Sequence, residues 1–214
     1  TIVSAALLLT AVGILLWHFH NSSATDNTRK HDVSTSEVRK VERQVDIHIN
    51  RYEKDLFSLD TARLSEELQR LSSVYPELLI DKNSWKDPQM LFQLKAYITD
   101  PVILEIYHDV MKVYPDLKDV ETELNTAMSY YLNYFPNDSL PSFYSLVPGL
   151  NTDMPTVYGY GNDIFIHLDM YLGKNYKYYS QIGMPNFVSQ RCEKKYLAVD
   201  CFSKAMVYRY LPEK

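Results

Sequence analysis

Asp163-Ile164-Phe165-Ile166-His167-Leu168-Asp169 alternates apolar and other side chains over seven positions. With a strand's period of two, Ile164, Ile166 and Leu168 share one face, and His167 and Asp169 stand about 7 Å apart on the other. An imidazole and a carboxylate so placed can ligate a divalent ion if at least a third ligand arrives from elsewhere. The plainer expectation has His167 half-exposed on a sheet and Asp169 capping the turn Met170-Tyr171-Leu172, which Gly173 ends. No His-Glu-x-x-His, Gly-x-Ser-x-Gly, phosphate loop or dinucleotide fingerprint occurs, and no cofactor is expected. Cys192 and Cys201 are the two cysteines. An oxidising compartment permits a bridge between them. Nine residues along one helix would put them on opposite faces, so a bridge demands a break near Glu193 to Tyr196. A Cys-His nucleophile pair using His167 has no local support, and Arg51 with Glu53 reads as a structural ion pair.

The elements that must position these residues are mostly helical. Val45 to Asn50 alternates and suggests a strand or the tail of a short helix. Asp60 is expected to cap a helix carrying Leu64, Leu68, Leu71 and Val74, ended by Pro76. Asp87-Pro88 and Asp100-Pro101 each combine a cap carboxylate with a first-turn proline. A further helix runs from about Leu117 to Leu132 and stops before Pro136. Val74-Tyr75-Pro76 and Val113-Tyr114-Pro115 rhyme, which reads as a shared helix stop rather than a repeat. After Pro141, Phe143 to Leu150 suggests a strand. Thr156 to Tyr160 and Asp163 to Leu168 flank Gly161-Asn162, the composition of a tight hairpin. Pro185 opens a short helix, and a last one runs from about Ala198 to Tyr210. The predicted fold is α+β: a mostly helical domain with a small antiparallel sheet.

Composition bounds the function. The formal net charge is −5 with scattered basic residues, so no nucleic-acid partner is expected. Thr1 to Trp17 is almost wholly apolar, between the roughly 20 residues of a membrane span and the roughly 7–15 of a signal-peptide core. Residues 1–20 read as signal peptide or membrane anchor, 21–37 as polar linker and 38–214 as a single soluble body. Ser22-Ser23-Ala24 offers small residues for a signal peptidase. Eighteen tyrosines stand among 214 residues. Most are expected in helix seams. Tyr158, Tyr160, Tyr171, Tyr176, Tyr178 and Tyr179 form the expected binding face, because the ring is large, rigid and amphipathic.

Several segments carry a family resemblance: Val45-Asp46-Ile47 with Arg51 to Phe57, Tyr75-Pro76, Tyr114-Pro115, Tyr130-Tyr131 with Tyr134-Phe135-Pro136, and above all Ile166-His167-Leu168-Asp169-Met170-Tyr171-Leu172-Gly173. The chain resembles the gliding motility lipoprotein GldB family of Bacteroidetes. The resemblance implies an exported lipoprotein of the cell envelope, facing the periplasm and linked to gliding motility and type IX secretion, with no established reaction. It also implies a layout similar to a zinc-peptidase fold without the catalytic helix. The family's lipidated cysteine is not found after the apolar stretch, where His18, His20 and Asn21 stand. Family members usually run further, so a truncated carboxyl terminus is expected. The expected role is a non-enzymatic envelope accessory or interaction protein, membrane-held, with envelope protein partners. Two alternatives remain: a metal-dependent hydrolase using His167 and Asp169, and a peptidoglycan or glycan-binding module.

Overall fold

The structure, a computed structural model, describes residues 43–75 and 84–210. The apolar stretch 1–20, the linker 21–37 and Pro76 lie outside the described residues. An extended run from Arg43 leads into β1 (Ile49–Asn50), followed by α1 (Tyr52–Phe57), α2 (Leu64–Val74), α3 (Pro88–Thr99), α4 (Pro101–Val113) and α5 (Lys118–Tyr134). Then come β2 (Ser142–Leu146), β3 (Val157–Tyr160), β4 (Asp163–His167), α6 (Lys177–Gln181), α7 (Asn186–Ser189) and α8 (Leu197–Tyr210). Short 3₁₀ turns occupy Ser84–Lys86, Leu168–Tyr171 and Lys194–Tyr196. Among the described residues no helix is long and apolar enough to cross a membrane.

The helix punctuation is written in the side chains. Asp87 accepts the Gln89 N–H at 2.9 Å, and Asp100 accepts those of Val102 and Ile103 at 2.8 and 3.0 Å. Asp100 both ends α3 and starts α4: the following proline disfavours helical geometry there, and its ψ is 128°. Asp60 departs from expectation. It accepts the Ala62 N–H and pairs with Arg63 in the turn before α2, whose own N-cap, Arg63, makes no side-chain cap bond. Tyr75, Tyr114 and Phe135 end α2, α4 and α5 with nearly one geometry: φ −126°, −125° and −126°, ψ 65°, 64° and 67°. Each precedes a proline, so the rhyme is the shared stop expected of it.

The sheet order is β1-β2-β4-β3. It is mixed rather than antiparallel: β1 with β2 and β2 with β4 are parallel, and only β3 with β4 is antiparallel. The hairpin announces itself locally through Gly161, whose φ of +61° suits the first position of a two-residue loop. Parallel neighbours need long crossovers and leave no local turn signal, which is why they escape sequence reading. Strand alternation divides the core. Ile49, Phe143, Val157, Ile164 and Ile166 join a cluster with Ile106 and Val110 of α4, Leu124 and Met128 of α5, and Leu197 and Cys201 of α8. Tyr144 packs instead against a second cluster built from Leu56, Leu64, Leu68, Leu71, Tyr75 and Ile98.

Candidate functional site

The segment Ile166 to Gly173 passes from the end of β4 into the 3₁₀ turn Leu168–Tyr171. That change of backbone ends the strand alternation that would set His167 and Asp169 on one face. His167 ends the strand at 1 % exposure, with the Tyr158 ring edge-on at 5.4 Å. Its Nδ1 is buried without a hydrogen-bond partner, and burial alone lowers its pKa from 6.5 to about 4, so the ring is neutral. It is not the half-exposed sheet residue expected. Asp169 lies fully inside the turn, and no hydrogen bond or ion pair joins it to His167. Its Oδ2 accepts the Leu150 N–H at 2.6 Å, while Oδ1 has no partner. Burial raises the carboxyl to about 7 against the opposing pull of the nearby Leu150 and Gly149 N–H groups. Asp169 therefore ties the turn to the loop after β2 rather than capping its own helix. That loop is bent there, with φ of +84° at Gly149 and +60° at Leu150. Among the described residues no group of three or more His, Cys, Asp or Glu side chains could hold a metal ion, so the third ligand needed by the metal alternative is missing among them.

Tyrosines explain how this turn is held. The Tyr114 hydroxyl donates to the Tyr171 carbonyl at 2.6 Å, and that of Tyr179 to the Asp169 carbonyl at 2.9 Å. Tyr179 also accepts the Leu172 N–H at 3.1 Å. The Tyr171 hydroxyl donates to Asp200 at 2.9 Å and receives the Thr156 hydroxyl at 3.0 Å. Each buried hydroxyl thus satisfies a backbone or carboxylate group that burial would otherwise strand. The six tyrosines expected on one binding face therefore divide. Tyr171 and Tyr179 are core residues at 1 % and 2 % exposure, a correction whose cause is this hydrogen bonding. Tyr176 and Tyr178 are half-buried and donate to Asp109 and Glu105 of α4. Tyr158 stacks on Phe165 with ring centroids 5.1 Å apart, and Tyr160 stands exposed.

A second buried carboxyl group lies where α1 meets β2. Glu53 is fully buried; its Oε1 takes Arg51 Nε at 2.5 Å and its Oε2 the Ser145 hydroxyl at 2.7 Å. Arg51 also reaches the Tyr114 carbonyl at 3.0 Å. This is the structural ion pair expected from Arg51 and Glu53, and Ser145 is the partner sequence reading missed. Cys192 and Cys201 are both buried and free. The chain does break between them, at Glu193 and the turn Lys194–Tyr196, but the Cys192 thiol lies against the Val188 carbonyl and Met184 sulfur, and the permitted bridge is not made. On the surface, a hollow of about 660 Å³ is lined by Lys174, Asn186, Phe187, Gln190, Glu193 and Tyr196, among others.

Fold and site together describe an α+β domain whose most distinctive polar residues are internal fasteners. The gliding motility protein GldB family matches residues 31–214, and the chain belongs to that family. The family is one of gliding-motility lipoproteins, which points to a membrane-anchored protein of the cell envelope. No curated protein and no solved structure matches it, and the zinc-peptidase-like layout accordingly finds no support.

Proposed function

We propose that the chain is a non-enzymatic accessory protein of the cell envelope, held on the periplasmic side of a membrane and acting by contact with envelope proteins in gliding motility or type IX secretion. One observation carries the reading. Three ionisable side chains of its two most distinctive segments, His167, Asp169 and Glu53, are 1 %, 0 % and 0 % exposed. A general acid or base must come within hydrogen-bond reach of its substrate, and these groups are engaged with, or enclosed by, the fold itself. Family membership supports the motility context. The alternative of a peptidoglycan or glycan ligand draws on the 660 Å³ hollow, where the exposed Phe187 ring stands beside the amides of Asn186 and Gln190.

Complementation tests the reading. In cells lacking the gene, His167→Gln and Asp169→Asn chains that fold at neutral pH should restore motility as the parent does. Abolished motility with normal folding and abundance of either variant would overturn it.

A further inference from the structure

The chain treats the two edges of its sheet oppositely. Along β1 and the extended run before it, the outward N–H groups of Val45, Ile47 and Ile49 are taken by Ser129, Asn125 and Glu121 at 3.2, 2.5 and 2.9 Å. These three α5 residues are spaced by four and stack on one helix face. That edge is sealed. At β3 the His167 N–H goes to the Thr156 carbonyl at 2.9 Å, and Tyr158 and Tyr160 register with Phe165 and Asp163. The N–H and C=O groups of the alternate residues, Val157 and Gly159, therefore turn away from β4. Among the described residues nothing bonds to them. An unpaired edge is a template for another strand; β3, four residues long, reads Val-Tyr-Gly-Tyr and carries no lysine, proline or bulge.

A trench accompanies this edge. A hollow of about 330 Å³ separates Thr156 and Val157 from Asp200, Ser203 and Lys204 of α8. Past the Arg191–Asp200 ion pair, at 2.6 Å, it meets a second hollow of about 260 Å³ lined in part by Met170, Val188 and Cys192. Strand and helix thus make two walls, and the far end is largely apolar. Lys204 has no ion-pair partner among the described residues. Tyr160, 69 % exposed, stands at the other end of the edge.

We propose that β3 and α8 form a docking groove for one extended peptide segment of a partner protein. The segment adds to β3 as a further strand, places an apolar side chain in the hollow at Met170 and Val188, and offers a carboxylate to Lys204. Main-chain bonds supply the affinity and the side-chain hollow the specificity, as in other strand additions. A glycan has no alternating N–H and C=O groups to meet those of Val157 and Gly159. The inference rests on the accessory reading and names where that contact occurs.

The probe is a random octapeptide display library panned on the full chain. Enriched peptides should alternate apolar residues and carry an acidic one. The best should slow hydrogen exchange at the Val157 and Gly159 amides at least tenfold, leaving Val45 and Ile47 unchanged. Gly159→Pro deletes an outward N–H and should weaken binding at least tenfold, and Lys204→Glu should weaken it severalfold. Should Gly159→Pro not fold, the exchange footprint on the parent and the surface change Lys204→Glu still decide. Slow exchange of Val157 and Gly159 in the free chain, no enrichment, or a footprint elsewhere would each overturn the groove while leaving the accessory reading intact. Failure of the His167 and Asp169 complementation would do the reverse.

Discussion

His167 and Asp169 pull the pH dependence of stability in opposite directions, so removing either should unmask the other. Burial lifts the Asp169 carboxyl from its ordinary 3.8 to about 7. The folded chain therefore keeps a proton there that the unfolded chain releases. The stability it supplies is complete below 3.8 and is lost as pH rises through 7. His167 runs the other way. Burial lowers it from 6.5 to about 4, so its contribution is complete above 6.5 and is lost as pH falls through 4. Between about 4 and 6.5 the folded and unfolded chains each hold one proton across the pair, and the two slopes cancel. At about 1.4 kcal/mol per tenfold in proton affinity, the carboxyl accounts for roughly 4 kcal/mol and the imidazole for roughly 3 kcal/mol. Asp169→Asn keeps an acceptor for the Leu150 N–H but cannot ionise. Relative to the parent, it should gain stability steadily from pH 4 to 7, reaching about 4 kcal/mol more at the upper end than at the lower. His167→Gln should show a loss relative to the parent that grows by about 3 kcal/mol between pH 4 and 6.5. Urea unfolding of the full chain, followed by circular dichroism at closely spaced pH values, measures both as variant minus parent, which removes the other titrating groups. Flat difference profiles, or slopes of the opposite sign, would refute the assignment of both groups as buried and neutral.

Two further outcomes follow from the same interior. Glu53→Ala leaves the Arg51 guanidinium, 13 % exposed, without its carboxylate, and should cost about 3–5 kcal/mol in the same unfolding measurement. Replacing both charges, Arg51→Met with Glu53→Leu, should recover most of that, and simple additivity in the double-mutant cycle would contradict the pairing. Burial raises the pKa of both Cys192 and Cys201. A thiol-reactive disulfide reagent should therefore label neither in the folded chain and both in denaturant. An intact mass two hydrogens lighter would instead show a bridge.

Local chemistry made much of this protein legible. The Asp-Pro pairs at Asp87 and Asp100 announced helix starts because a cap carboxylate and a fixed proline φ act within three residues. The aromatic-proline pairs announced helix stops, and Gly161-Asn162 announced the hairpin. Periodicity placed Leu64, Leu68 and Leu71 on the buried face of α2, while Val74, expected with them, is 57 % exposed. The ladder of Glu121, Asn125 and Ser129 was also readable in principle, since polar residues spaced by four share a helix face. Their purpose was not readable, because the strand they seal lies more than seventy residues away.

By itself, the sequence determined the mixture of helices and a small sheet, the position of the hairpin, the Arg51–Glu53 pairing and the family to which the chain belongs. Only the tertiary structure decided that the sheet is mixed, that His167 and Asp169 are both buried where β4 gives way to a 3₁₀ turn, and that Tyr171 and Tyr179 are core fasteners rather than surface rings. The physical reason is reach. Caps, turns and periodic faces are settled by neighbours a few residues apart. A buried imidazole, a protonated carboxyl or an unpaired strand edge is defined by groups that the fold brings from far along the chain, or fails to bring at all.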